Sequence, residues 1–209
     1  MKRQPPQLHL LPIPARTSST SVPGMLVLGL GNPGPGYRNT RHNVGFEAVD
    51  RICDQRGLSW RRPLFRNVMA AGDATLTLAK PLTYMNRSGE VIPYLVRRFA
   101  IPTGMICLVL DNMDLPVGEI RMKTRGGDAG HNGLKSVTAA LGSSDYARIY
   151  IGVGRPAQGT STVDHVLGTF SPEEDDAVTA AIRRLAEVFR SATLPPLPTL
   201  VSEVNRRRR

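Results

Sequence analysis

Residues 25–34 read Met25-Leu-Val-Leu-Gly-Leu-Gly31-Asn-Pro-Gly34, and residues 105–111 read Met105-Ile-Cys-Leu-Val-Leu-Asp111. Each is a short unbroken apolar run closed by a polar or turn-forming residue, the pattern of a buried strand and not of an amphipathic one. Both fall far short of the roughly 18–20 apolar residues that a membrane span needs. Beyond the first run, Pro33, Gly34, Pro35 and Gly36 hold residues 31–39 in a loop. Val44, Val49, Ile52 and Cys53 then recur at helical spacing until Gly57.

Working outward, residues 68–71 and 75–79 flank Gly72-Asp73 and predict a hairpin. A helix is predicted over 88–99, with Val91, Tyr94, Leu95 and Phe99 on one face and Pro102 beyond it. After the 105–110 strand come a loop (111–118), a strand (119–123), a glycine-rich stretch (126–133), a helix (134–141) and a strand (148–153). Ser171-Pro-Glu-Glu174 supplies an N-cap, a first-turn proline and a capping-box glutamate. Val178, Ala181, Ile182, Leu185, Val188 and Phe189 then form one apolar stripe. Strands alternating with helices predict one α/β domain over 25–191, a mixed, mainly parallel twisted sheet with helices on both faces. In such sheets ligands bind beyond the carboxyl ends of the strands. Asn32, Asp111 and the 126–132 stretch all follow strands, so they can converge there.

The chain has 209 residues with 27 Lys+Arg against 17 Asp+Glu, a net charge of +10. Residues 1–24 contribute Lys2, Arg3 and Arg16 with no acid, and 206–209 are all arginine, which leaves +3 for 25–205. Five prolines and a Ser/Thr run predict a disordered basic extension over 1–24. They also oppose the amphipathic helix of a targeting peptide, so translation starting at Met25 is the favoured expectation. Residues 192–209 are expected to be a Pro-rich, basic tail. Cys53 and Cys107 lie 54 residues apart with no CxxC, which excludes a disulfide scaffold and a zinc finger and fits a reducing, cytoplasmic location.

Gly29-Leu-Gly31-Asn-Pro-Gly34 matches the GxGxxG dinucleotide pattern. That motif must open a helix at once so that its amides can hold pyrophosphate. Here prolines keep the chain in a loop, and Asp50 falls inside a predicted helix where a ribose-binding acid would end a strand. A nucleotide-dependent oxidoreductase is therefore disfavoured, and the glycines are read as sites of close backbone approach.

The loops that converge carry chemistry. His42, just ahead of a helix, can act as a neutral general base. Asp111 can orient its ring and stabilise the protonated form. Asn32, Asn86 and Asn132 are uncharged donors and acceptors suited to amide recognition and to holding an oxyanion. No serine or cysteine sits in a GxSxG-like context, which favours an activated water and hence hydrolysis. Each residue also has a structural alternative as a cap or turn. His9 falls in the N-terminal extension, and His165 reads as structural or surface.

Four motifs, taken together, go further. They are Tyr37-Arg-Asn-Thr40-Arg41-His42-Asn43-Val-Gly45, Lys80-Pro-Leu-Thr-Tyr84-Met85-Asn86-Arg-Ser88-Gly89, Asp111-Asn-Met-Asp114-Leu-Pro116-Val-Gly118 and Gly127-Asp-Ala-Gly130-His131-Asn132-Gly133-Leu-Lys135-Ser136. In that order and spacing the chain resembles the bacterial peptidyl-tRNA hydrolases from about Met25 to its last predicted helix. The resemblance implies an esterase that frees peptide and tRNA from peptidyl-tRNA. It makes His42 the general base for water and Asp111 the aspartate paired with it. It places Asn32, Tyr37, Met85, Asn86, His131 and Asn132 at the substrate, and Lys123 and Arg148 at a tRNA phosphate. It implies no metal, no organic cofactor, no membrane partner and a monomer. Some relatives act in RNA processing, so a non-catalytic RNA-binding protein of the same fold is the alternative. Leu110, Asn112, Arg125, Ala129 and Tyr150 depart from common residues of the family, none of them a proposed catalytic group.

Overall fold

The computed structural model describes residues 24–64 and 66–206. Six strands form one sheet: β1 (Met25–Gly29), β2 (Val68–Gly72), β3 (Leu76–Pro81), β4 (Ile106–Asn112), β5 (Ile120–Lys123) and β6 (Ala147–Gly152). Their order is β2-β3-β1-β4-β6-β5. The four inner strands are parallel, and the two edges pair antiparallel with their neighbours, so the sheet is mixed and mainly parallel.

Side chains alternate across this sheet with the strand period of two. Leu26, Leu28, Ile106, Leu108 and Leu110 face α2 (Ile92–Phe99) and α3 (Asn132–Leu141). Val27, Cys107, Val109, Ile149 and Ile151 face α1 (Val44–Gln55), α5 (Pro172–Val188) and α6 (Leu197–Asn205). With both faces covered, every position in β1 is buried, which is why the opening stretch reads as unbroken apolar sequence. Each fully buried aliphatic side chain contributes about 1.5–3 kcal/mol of hydrophobic stabilisation.

The glycines of the false dinucleotide motif have a packing purpose. A Cβ on Gly29 would strike the Gly45 carbonyl, and a Cβ on Gly45 would strike the Val109 and Leu30 backbones. These two glycines let α1 lie directly on β1 and β4, which draws the loop carrying His42 down onto the end of β4. From β1 the chain passes to β3 on one side, then crosses back to β4 on the other. The switch point, where a crevice opens at the carboxyl ends of such sheets, therefore lies between β1 and β4.

The structure differs from the sequence reading in three elements. The helix predicted over 88–99 begins only at Ile92, because residues 85–91 form a tighter 3-10 turn. Gly89 presses on the Ser136 backbone of α3 there, and Pro93 occupies the first helical turn. A short helix, α4 (Thr162–Leu167), was not anticipated. The third difference corrects the domain boundary, because much of the expected tail at 192–209 is helix α6. Its residues Leu200 and Val204 are buried, and the Asn205 side chain bonds both the N–H (2.7 Å) and the C=O (3.1 Å) of Met122 in β5. The prolines obscured a short apolar spacing of Leu197, Leu200, Val201 and Val204. Residues 1–23 of the extension expected over 1–24, and the last three arginines, lie outside the described residues. Among the described residues no helix is long and apolar enough to cross a membrane.

Candidate active site

The turn after β1 delivers Asn32, the 3-10 turn at Arg41–Asn43 delivers His42, and the end of β4 delivers Asp111. Asn43 knots the first two together. Its Oδ1 accepts from the Asn32 N–H at 2.8 Å, and its Nδ2 donates to the Asn32 carbonyl at 3.0 Å. Asn32 in turn accepts the Met85 N–H on Oδ1 at 2.8 Å. Its remaining polar group, the Nδ2 donor, is the one left for a ligand.

The centre is a His–Asp–His cluster. Asp111 is 3% exposed, and a single oxygen, Oδ1, receives His42 Nδ1 at 2.8 Å and His131 Nε2 at 3.1 Å. Burial opposes charge on this carboxyl, yet the two imidazoles, His131 ahead of His42, hold it well below the usual carboxylate range. The hydrogen bonds also fix the tautomers. His131 caps α3, its Nδ1 accepting from the N–H groups of Gly133 (3.1 Å) and Leu134 (3.4 Å), so its proton is on Nε2. His42 donates Nδ1–H to the ionised Asp111, which leaves Nε2 as a basic lone pair. Nδ1 and Nε2 of the two rings and Oδ1 cluster within 4.8 Å, a spacing of interest for a metal ion. The donor set opposes that use, because the His131 nitrogen on this side already carries a proton that its capping bonds prevent from moving to Nδ1.

This cluster lies in a cleft of ≈ 390 Å³ lined by Asn32, His42, Met85, Asn86, His131 and Asn132 among others. Asn86 and Asn132 are exposed on its rim, and buried Met85 forms an apolar wall. Tyr84, Val163 and Leu167, three of the four exposed large apolar side chains of the described residues, also line it. Tyr37 does not. It meets Tyr84 edge-on with ring centroids 6.2 Å apart, and so it borders the cleft through its neighbour. At the 128–130 turn Ala129 takes φ +48°, a left-handed conformation that costs an L-residue about 1–2 kcal/mol, where Gly130 takes φ +82° freely.

The two expected phosphate contacts differ in kind. Lys123 and Arg148 are register partners across β5 and β6, so they share a face. Lys123 is exposed, but Arg148 is 1% exposed and spends Nη1 and Nη2 on the Tyr146 and Ser144 carbonyls at 3.1 Å each. Its guanidinium lies 4.2 Å from the Tyr146 ring, and Nε has no partner. Arg148 therefore presents no open guanidinium of the kind a surface clamp requires.

Sequence reading missed Arg41 and Asn43 as organisers, though both adjoin His42. Arg41 binds the Thr169 carbonyl (2.7 Å), Glu174 (2.7 Å) and the His165 carbonyl (3.4 Å), tying the His42 turn to α4 and α5. His165 is structural, as read, with Nε2 donating to the Gly154 carbonyl at 2.9 Å. Neither cysteine is a nucleophile, since burial pushes the Cys53 thiol up to about 11 and that of Cys107 to about 12.

The sequence and the fold both match proteins of known name. The family described as peptidyl-tRNA hydrolase matches residues 26–209. The peptidyl-tRNA hydrolase of Bacillus licheniformis is 41% identical over 185 residues, covering 87% of this chain and 98% of that protein. That of Bacillus subtilis is 37% identical over 184 residues, with 87% and 98% covered. The crystal structure of peptidyl-tRNA hydrolase from Acinetobacter baumannii superposes with a TM-score of 0.81 at 30% identity, over 90% of this chain and 97% of that one. A match spanning nearly all of both partners leaves no room for a shared fragment on a different protein, and the chain belongs to the peptidyl-tRNA hydrolase family.

Proposed function

We propose that this chain hydrolyses the ester between a peptide carboxyl group and the 3′-terminal ribose of tRNA, releasing peptide and reusable tRNA. The observation that carries the reading is the His42–Asp111 bond at 2.8 Å in an open cleft, because it points the basic Nε2 away from the carboxylate. In this mechanism Nε2 takes a proton from water as the water oxygen attacks the ester carbonyl. Asp111 stays ionised and stabilises the imidazolium. Asn32 Nδ2 donates to the oxyanion of the tetrahedral intermediate. The imidazolium then passes its proton to the departing ribose oxygen. His131 is assigned to holding Asp111 as well as lining the substrate cleft. Asn86 and Asn132 read the peptide amides, Met85 and Tyr84 supply an apolar wall, and Tyr37 buttresses Tyr84.

Lys123 is the direct phosphate contact, with the buried charge of Arg148 attracting the RNA backbone from beneath it. No resident metal or organic cofactor enters this scheme. A cytoplasmic monomer is the working state. A purely RNA-binding role is not favoured, since a polarised histidine–aspartate pair in a cleft contributes nothing to phosphate binding. The test is hydrolysis of an N-blocked aminoacyl-tRNA by the purified chain. Release of the N-blocked amino acid by wild type and its loss in His42→Ala are expected, and no release by wild type would overturn the reading.

A further inference from the structure

Arg41 adjoins the base in sequence, yet its side chain spends itself on two other elements. Nη1 donates to the Thr169 carbonyl at 2.7 Å and to the His165 carbonyl, in the last turn of α4, at 3.4 Å. Nη2 donates to Glu174 Oε2 at 2.7 Å, the oxygen that also accepts the Ser171 N–H at the start of α5. The guanidinium lies 4.9 Å from the Phe170 ring centroid. Gly168 leaves room for it, since a Cβ there would come 3.2 Å from Nη1. A planar fork that serves three acceptors and rests on a ring has no equivalent in lysine. It is retained although Arg41 Nε is buried with no partner, which is destabilising in itself.

What this fork holds is a wall of the cleft. Val163 and Leu167 of α4 line the cleft that contains His42, and both are exposed. Two further ties do not need the Arg41 side chain. His165 Nε2 donates to the Gly154 carbonyl at 2.9 Å, and Thr40 and Thr169 form a backbone bridge. Loss of the guanidinium should therefore shift α4 against His42 without unfolding it. With Asn86 and Asn132 on peptide amides, the group left for this apolar wall is the side chain beside the ester carbonyl. We propose that Val163 and Leu167 seat the side chain of the esterified residue, and that Arg41 is the positioning residue keeping this seat in register with His42. The proposal rests on the hydrolase reading above and adds to it a preference for large apolar residues at the ester.

The test uses one tRNA esterified with N-acetylleucine or with N-acetylglycine. Wild type should favour the leucyl ester about tenfold or more in kcat/KM, and the Val163→Ala, Leu167→Ala double variant should largely lose that preference. Arg41→Met should lower kcat on the leucyl ester about 10- to 100-fold with little change in KM, the scale of a displacement of about 1 Å. The glycyl ester, with no side chain to seat, should slow much less, and tRNA affinity should not move. Arg41→Lys should recover only part of the leucyl preference. Thermal melting checks each fold, and Glu174→Gln, which keeps the arginine but weakens its hold, should show the same substrate-dependent loss in milder form. Equal kcat/KM for the two esters in wild type would overturn the seat. Equal slowing of both esters in folded Arg41→Met and Glu174→Gln would reduce Arg41 to a structural tie and overturn the proposal. Cleavage of neither ester by wild type would overturn the hydrolase reading itself.

Discussion

The switch point between β1 and β4 and the outer edge formed by β6 and β5 treat charge in opposite ways. At the switch point the one buried carboxylate is met on the same oxygen by two imidazole N–H groups, and each ring is itself placed by a turn or a helix N-terminus. At the edge, Arg148 is buried with carbonyls and a tyrosine face but no carboxylate, and Lys123 has no ion pair among the described residues. The first region has its one buried charge doubly hydrogen-bonded and fixed in geometry, as a reaction centre must be if it is not to reorganise during turnover. The second pairs Arg121 with Glu119 but leaves Lys123 and Arg148 without a carboxylate partner among the described residues, which suits recognition of an external polyanion. Chemistry and recognition are thus separated along one sheet, so mutations in the two regions should have different signatures.

The largest effect belongs to His42. His42→Ala should lower kcat by about 10²–10⁴-fold or more, the range for a positioned general base, with tRNA affinity and its salt slope close to wild type. A parallel collapse of tRNA affinity in a folded variant would erase the distinction between the regions. Asp111→Asn comes next, because the uncharged amide cannot stabilise an imidazolium as the carboxylate does. A loss of about 10²–10⁴-fold in kcat with small change in KM is expected. The depressed carboxyl pKa also fixes the sign of the pH dependence. Its contribution to stability is present above the ordinary carboxylate value of 3.8 and is lost as pH falls through the lower folded-state value. Thermal melts of wild type and Asp111→Asn should therefore converge only in strong acid.

His131 separates two jobs within the first region. His131→Ala removes both the Asp111 bond and the α3 cap, and should cost about 1 kcal/mol of stability alongside a roughly tenfold drop in kcat. His131→Asn retains a good capping side chain and should recover the stability but not the turnover. Full recovery of kcat by asparagine would reduce His131 to a cap.

How much of this was legible in the sequence follows the same division. The inner strands were readable because burial on both faces leaves unbroken apolar runs such as Leu26-Val27-Leu28. His42, Asp111 and Asn32 were readable because each sits at a strand end or beside a turn, where local chain geometry dictates direction. The role of Asn43 was hidden, since reciprocal bonds between an asparagine and a backbone 11 residues away leave no spacing signal. The burial of Arg148 was not legible, because a sequence shows charge but not depth. Helix α6 was missed because its four apolar positions stand between prolines and an arginine run, and only contact with β5 makes them a core.

The smallest expected effect bears most directly on the edge. Lys123→Ala should raise the tRNA dissociation constant a few-fold and reduce the salt slope by about 1, the signature of one lost phosphate contact. Arg148→Met should act differently, because its guanidinium is inside the protein and its N–H groups already serve the Ser144 and Tyr146 carbonyls. Its removal leaves the buried Tyr146 carbonyl and the Ser144 carbonyl without their donors, so Arg148→Met should lower the melting temperature. The attraction of its charge for a phosphate above Lys123 would be lost as well, lowering affinity with a smaller change in salt slope than Lys123→Ala gives. Salt-titrated binding and melting of the two variants should thus give unlike pairs of numbers. If Arg148→Met instead matched Lys123→Ala in slope and left melting untouched, Arg148 would reach phosphate directly, and the turn at Ser144–Tyr146 would have to release it on binding.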